Sequence, residues 1–433
     1  MPLRPNILYI HSHDTGRFIQ PYGHAVPTPN LQSLADRGVL FRQAFNANPT
    51  CSPSRACLLT GQSAHSNGMI GLAHRGFSLA DPSHHIVHTL HKHGYTSALA
   101  GVQHVASGSE PWKQIGYRQC LGSHHDAHET AATFLLNAPE QPFFLSVGFF
   151  ETHREFPEEV QDSPDNCLPP APLPDAPETR LDMARFKASA RILDRKIGHV
   201  LDALEQSGLA DNTLVICTTD HGIAFPRMKC NLHDSGIGVM LIMRGPGGFQ
   251  TPKTVDSLVS HIDVFPTICD LLDIPAPEWV QGTSFLPVVH GEADEVNEQI
   301  FAEVNYHAAY EPKRCVRTGR WKYIRRFDGR TTPVLPNCDD SLSKSVWLEH
   351  GWGQRPVDEE ALFDLVFDPN ETDNLAERSD HQEVLDDMRE RLEDWMCRTD
   401  DPLLSGPVQA PPDAKVNDPD GLSPREEPHR VGG

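Results

Sequence analysis

The segment Cys51-Ser52-Pro53-Ser54-Arg55 is followed at short range by Leu58-Leu59-Thr60-Gly61. A cysteine beside a turn-forming proline reads, on its own, as a free thiol. The downstream L-L-T-G at this spacing makes the combination far more specific. Acidic and imidazole groups recur together at His13-Asp14 and at Asp220-His221-Gly222. Asp14 falls just past an apolar run at residues 7–10, and Asp220 just past another at 213–218. In an open parallel sheet, ligands collect beyond the carboxyl ends of the strands, so two carboxylates from separate strands can meet one cation. Asp220-His221-Gly222 alone reads more readily as a turn. Asp14 and Cys51 beside it turn the balance toward a metal site. Histidine suits proton transfer near neutral pH, but the chain has 24 of them, and a lone histidine is more often an ordinary surface or core residue.

The elements that must position these groups follow from apolar patterning. Residues 5–10, 96–101, 143–150 and 213–218 predict strands, and 143–150 is so continuously apolar that both its faces must be covered. Residues 31–37 predict a helix with Asn30 as N-cap and Gly38 as C-cap. Residues 39–45 read as extended and lead into a loop carrying Cys51. Residues 86–93 and 184–206 predict helices, the second with Ile192, Ile197, Val200, Leu201 and Leu204 on one face. Residues 155–177 are proline-rich and read as a long loop, and 255–272 as a strand and a helix. Strands alternating with helices imply an α/β fold, a large, mostly parallel sheet sandwiched by helices. After about Gly291 the texture changes. Residues 316–324 predict an antiparallel hairpin, 362–365 a short strand and 381–395 a helix. The expected organisation is a catalytic domain over 1–290, a smaller α+β subdomain over 291–403 packing on it, and an extended tail over 404–433.

The 433 residues are too many for one ordinary core. A net charge of −22 argues against nucleic acid or an anionic membrane as partner, and requires any anion site to be locally basic. No apolar stretch approaches the roughly 20 residues of a membrane span. The run at 7–10 is too short for a signal peptide. The ten cysteines are scattered without a C-x-x-C pair, which fits a reducing compartment. The expected location is therefore cytoplasmic, and Asn370-Glu371-Thr372 is read as a chance match to a glycosylation acceptor.

The cysteine motif resembles the signature C-x-P-S-R-x-x-L-x-T-G of the sulfatase family, within the alkaline-phosphatase superfamily. The resemblance runs from residue 5 to about 403. It leans toward the sulfamidases of N-sulfoglucosamine (heparan N-sulfatase) through His65-Ser66-Asn67-Gly68-Met69, residues 101–105, His153-Arg154, residues 220–226 and residues 363–375. It implies that a maturation enzyme, formylglycine-generating or anaerobic, oxidises Cys51 to formylglycine. The hydrated aldehyde attacks through one hydroxyl, and the second later expels sulfate. It further implies one divalent cation on Asp14, Asp220, the formylglycine and the neighbouring His13 and His221. Arg55 would hold the formylglycine loop. His104 would take the proton of the second hydroxyl, and His153 would protonate the leaving group. Lys229 would bind sulfate, with Arg154 or Arg227 as helpers. The implied substrate is a small anion, a sulfated sugar or an aryl sulfate.

Three departures qualify this expectation. His13-Asp14 stands where most sulfatases have Asp-Asp. Position 221 is His, where sulfamidases have Asn. Nitrogen ligands would shift preference from the family's Ca²⁺ toward Mn²⁺ or Zn²⁺. Gly101-Val102-Gln103-His104 stands where sulfatases usually read G-K-x-H, so a lysine that contacts sulfate and nucleophile is replaced by valine. Phosphonate monoester hydrolases of the same superfamily also lack it, and such a phosphonate monoester or phosphodiester hydrolase is the second reading. A non-catalytic binding relic is the third.

Overall fold

The computed structural model describes residues 4–432. Eight strands form one sheet. They are β1 (Asn6–Ser12), β2 (Val39–Phe41), β3 (Thr96–Gly101), β4 (Gln119–Gly122), β5 (Phe143–Gly148), β6 (Thr213–Thr219), β7 (Leu241–Arg244) and β8 (Lys253–Val255). Their spatial order is β4-β3-β5-β1-β6-β7-β2-β8. β4, β3, β5, β1 and β6 run parallel, while β7 is antiparallel to both of its neighbours. Alternation along β1 explains the two layers. Ile7 and Tyr9 enter one buried cluster and Leu8 and Ile10 the other, all at 0–3% exposure. A strand that must bury both faces can have no polar side, which is why these strands read as unbroken apolar runs.

The helices that matter for the site are α1 (Pro29–Ala35), α2 (Cys51–Thr60), α3 (Ala127–Leu136), α4 (Pro177–Gln206) and α5 (Val264–Leu271). Several boundaries differ from expectation. α1 begins at Pro29, with Thr28 as its N-cap. Asn30 instead lies inside the helix and donates its side-chain amide to Asp194 of α4 at 2.9 Å. The extended stretch 39–45 is two short strands, β2 and the pair Ala44–Phe45. Cys51 is not in a loop. It is the first residue of α2, a helix whose ten residues are all buried. α4 starts seven residues earlier than its apolar face suggests, because Pro177 is compatible with a first helical turn.

Beyond residue 291 the chain builds a second, antiparallel sheet from β9 (Gln299–Tyr306), β10 (Tyr310–Thr318), β11 (Trp321–Arg326) and β12 (Glu360–Asp364), flanked by α6 (Leu342–Glu349) and α7 (Gln382–Arg398). The expected hairpin is β10–β11, with Val316 opposite Tyr323. Its apolar face shares one cluster with Phe45, Leu232, Ile237 and Leu258 of the first part. The expected extended tail takes a definite path. Residues 404–432 turn back, form a small hairpin of Lys415–Val416 with His429–Arg430, and bury Val408, Ala414 and Val416. Among the described residues no helix is long and apolar enough to cross a membrane.

Candidate active site

Register fixes where the chemistry meets. His11 of β1 sits level with Gly148 of β5 and Thr218 of β6, and Gly101 of β3 is level with Gly148. His104, His13-Asp14, His153 and Asp220-His221 each follow one of these four neighbouring strand ends. Gly101, at φ 83°, and Gly148 allow that convergence. A Cβ on Gly101 would lie 2.2 Å from the Gly148 carbonyl oxygen, and one on Gly148 would lie 2.0 Å from that of Val102. Asp14 and His104 both hold left-handed backbone, at φ 50° and 54°. Such conformations are costly for residues with a Cβ and cluster at functional sites.

Cys51 enters from the opposite side, at the amino end of α2, where free N–H groups and the helix dipole favour an anion. Its Sγ lies 3.3 Å from His221 Nε2. Burial pushes the thiol well above its ordinary range, even with Lys229 nearby pulling it down. Arg55, one turn along α2, is buried. It donates to the Ser12 carbonyl at 2.8 Å and to Asp220 Oδ2 at 2.9 Å, and also contacts His11. Arg55 therefore ties α2 to the ends of β1 and β6.

Donor atoms of His13, Asp14, Cys51 and Asp220 all lie within 4.8 Å of one another. His221 Nε2 is 3.4 Å from Asp14 Oδ1. His13 Nε2 and Asp14 Oδ1 have no hydrogen-bond partner, although both are buried. Orphaned buried polar atoms are rare, and a divalent cation between them would satisfy these, so the residues present fit such an ion. Asp220 is well supplied with donors. Its Oδ1 accepts from the amides of Asp14 (2.8 Å) and His221 (2.9 Å), and His13 Nδ1 lies 3.1 Å from Oδ2. Burial alone would raise its pKa, but His221, Arg55 and His13 outweigh burial and hold it well below the carboxylate range. Burial, then Arg55, lowers His13 and His104 well below the imidazole range, so both present lone pairs.

Three imidazoles face the cluster. The His104 ring is 5.7 Å and the His153 ring 5.6 Å from that of His13. His104 Nε2 pairs with His74 Nδ1 at 3.0 Å. Lys229 Nζ lies 3.0 Å from Asp14 Oδ2 and 3.0 Å from Asp339 Oδ2. Burial would lower this ammonium, but Asp14 and Asp339 outweigh it and keep it charged.

Two expected helpers are not brought in. Arg154 donates both terminal nitrogens to Asp182 at 2.7 and 2.8 Å, and its guanidinium carbon lies 4.3 and 4.8 Å from the ring centroids of Phe156 and Phe225. Arg227 is occupied by His233 and the Glu371 carbonyl. Their guanidiniums are used to hold loops together. Conversely, Asp339, His307 and His74 border the site unannounced. Burial, then Lys229, lowers His307. The adjacent acids Asp339-Asp340 were the only local signal, because these residues reach the site through tertiary packing.

The sulfatase family model matches residues 5–274, and a model described as N-sulphoglucosamine sulphohydrolase, C-terminal, matches residues 222–334. Human N-sulphoglucosamine sulphohydrolase is 28% identical over 93% of this chain and 92% of its own length. A solved 2-O GAG sulfatase superposes with a TM-score of 0.73 at 22% identity, covering 98% of this chain and 99% of that one. Another structure, solved with its substrate D-glucosamine-2-N,6-O-disulfate, gives 0.71 at 18% identity, covering 92% and 98%. With more than half of its length matched by the family model, the chain belongs to the sulfatase family and is a hydrolase of sulfuric esters or sulfamates.

Proposed function

We propose that the chain removes sulfate from a sulfated sugar, as O-sulfate or sulfamate, using formylglycine made from Cys51 and one divalent metal. The observation that carries this reading is the buried group of Cys51, His13, Asp14 and Asp220 at the strand ends, with orphaned donor atoms between them. When bound, the metal supplies Lewis-acid charge that neutralises a sulfate oxygen and acidifies a neighbouring hydroxyl. Asp14, Asp220, His13 and His221 would hold it. Ca²⁺ is the family's ion, and the two imidazoles favour Mn²⁺ or Zn²⁺.

The protein's own groups supply the rest. Arg55 orients residue 51 by fixing α2 to β1 and β6. Lys229 places a buried positive charge beside Asp14 for the transferred sulfate, and Asp339 steadies it. His104, a neutral imidazole, accepts the proton released when sulfate leaves, while His153 protonates the leaving oxygen or nitrogen. A cytoplasmic location and a maturation enzyme as partner belong to the same proposal. Val102 favours one alternative, a phosphonate monoester or phosphodiester hydrolase, because a less charged group tolerates one cation fewer.

The test is a panel of an aryl sulfate, N-sulfoglucosamine, a phosphonate monoester and a phosphodiester, each with Ca²⁺ and Mn²⁺, on protein coexpressed with a maturation enzyme. The mass of the Cys51 peptide is read in parallel. Sulfate or sulfamate turnover with formylglycine present is the expected result. Cys51→Ser should lose multiple turnover while remaining folded, because a serine ester lacks the second hydroxyl. Full turnover by that variant overturns the mechanism.

A further inference from the structure

Phe150 stands where a buried strand meets solvent. Every residue of β5 is buried, and Phe149 after it is 0% exposed, yet Phe150 is 41% exposed. Its ring centroid lies 4.8 Å from that of His153, 5.5 Å from His13 and 5.4 Å from His124. The main chain that carries the ring is pinned on both sides. The Phe149 amide donates to the His11 carbonyl at 2.9 Å and the Thr152 amide to that of His13 at 2.7 Å. The Glu151 carbonyl accepts from the His13 amide at 3.0 Å, and the Phe150 carbonyl from the His153 amide at 3.0 Å. This is a pre-set aromatic surface, not a side chain that strayed from the core. The contrast is Phe367, which is 82% exposed but lies near Arg320, away from the site.

We propose that Phe150 is a specificity-determining residue, a platform against which the ring of the leaving group stacks, so that the substrate is a sulfate monoester or sulfamate whose leaving group is a ring with an apolar C–H face, such as a pyranose. The proposal rests on the sulfatase reading above, because His153 serves the leaving group and Phe150 is its immediate neighbour. A pyranose has polar edges and an apolar face, and an exposed aromatic ring beside a few placed polar groups is how pockets take such ligands. A fixed ring also spends little conformational entropy on binding.

The experiment compares the mature protein with Phe150→Ala and Phe150→Tyr on N-sulfoglucosamine, choline sulfate and ethyl sulfate. Phe150→Ala should raise KM for the sugar about tenfold with kcat nearly unchanged. Ethyl sulfate should be unaffected, and Phe150→Tyr should behave as the parent. An equal rise for ethyl sulfate, no rise for the sugar, or a loss confined to choline sulfate overturns the platform. Binding of glucosamine, read by saturation-transfer NMR on unmodified protein, tests the platform without turnover. If the parent hydrolyses nothing but binds the sugar, and Phe150→Ala weakens binding about tenfold, the catalytic reading falls and the platform stands. If glucosamine binding is unchanged in Phe150→Ala, the platform falls. Phe150 is exposed, so the variants should fold, and thermal unfolding checks this.

Discussion

At the scale of the residue, identical side-chain types do opposite work according to what faces them. Arg55 and Arg154 both sit near strand ends, and both bond a buried aspartate. Arg55 reaches Asp220 in the cluster of candidate metal ligands, whereas Arg154 closes a loop on Asp182 of α4. Arg154→Ala should therefore cost about 3–5 kcal/mol of stability, because it strands a buried carboxylate. Chemical denaturation measures that loss. A raised KM with unchanged stability would return Arg154 to sulfate binding. Val102 tests the missing cation. It is half-buried and follows β3 directly, its amide donating to the Gly148 carbonyl at 3.0 Å. Val102→Lys should raise the ratio of sulfatase to phosphodiesterase efficiency by about tenfold or more, since a sulfate gains from a second fixed charge. An unchanged ratio in a folded variant means position 102 does not face the transferred group.

At the scale of the element, the antiparallel sheet is tied to the segment that follows α2 through buried charge. Glu303 of β9 accepts from His65 Nδ1 at 2.9 Å and lies 3.3 Å from Arg314 of β10. Arg314 also donates to Asp401. Burial would raise the Glu303 carboxyl, but His65 and Arg314 outweigh it and bring it to about 2, against an ordinary 4.5. Because the folded value lies below the unfolded one, the group's stabilisation is complete above pH 4.5 and is lost as pH falls toward 2. Glu303→Gln should lose about 3–5 kcal/mol at neutral pH by leaving Arg314 under-compensated. It should also flatten the acid limb of stability within that window. Urea titrations at stepped pH give both quantities, and an unchanged acid limb would mean other carboxylates carry it.

At the scale of the whole molecule, residues 404–432 act as a strap. Arg75 donates to Asn417 at 2.7 Å, Lys344 to the Leu422 carbonyl at 2.7 Å, and Ser423 to Asp340 at 2.5 Å, while Arg425 pairs with Glu155. Those partners neighbour His74, His153 and Asp339, so the strap braces the loops that border the site. Ending the chain after residue 403 should cost on the order of 3–6 kcal/mol from losing the burial of Val408 and Val416 alone, at ~1.5–3 each. Calorimetry should show an earlier transition, and activity should fall as the Asp339 loop loosens. A truncated protein with unchanged melting and turnover would make the tail an appendage.

Much of this protein was legible in its residues. The parallel sheet was readable because strands covered on both faces must be continuously apolar, and the hairpin of β10 and β11 because its faces alternate. The grouping of Cys51, Asp14 and Asp220 was readable because Cys51 opens a short local motif and the two carboxylates each follow a strand end. Tertiary structure decided what local pattern does not encode. Whether Arg154 and Arg227 face the pocket depends on partners 28 and 144 positions away. Asp339 and His307 arrive on connections between strands of the antiparallel sheet. The tail's polar composition conceals a few apolar residues that find a surface only after both sheets have formed. Sequence spacing sets what one strand or helix can present, and packing between distant segments sets what it meets.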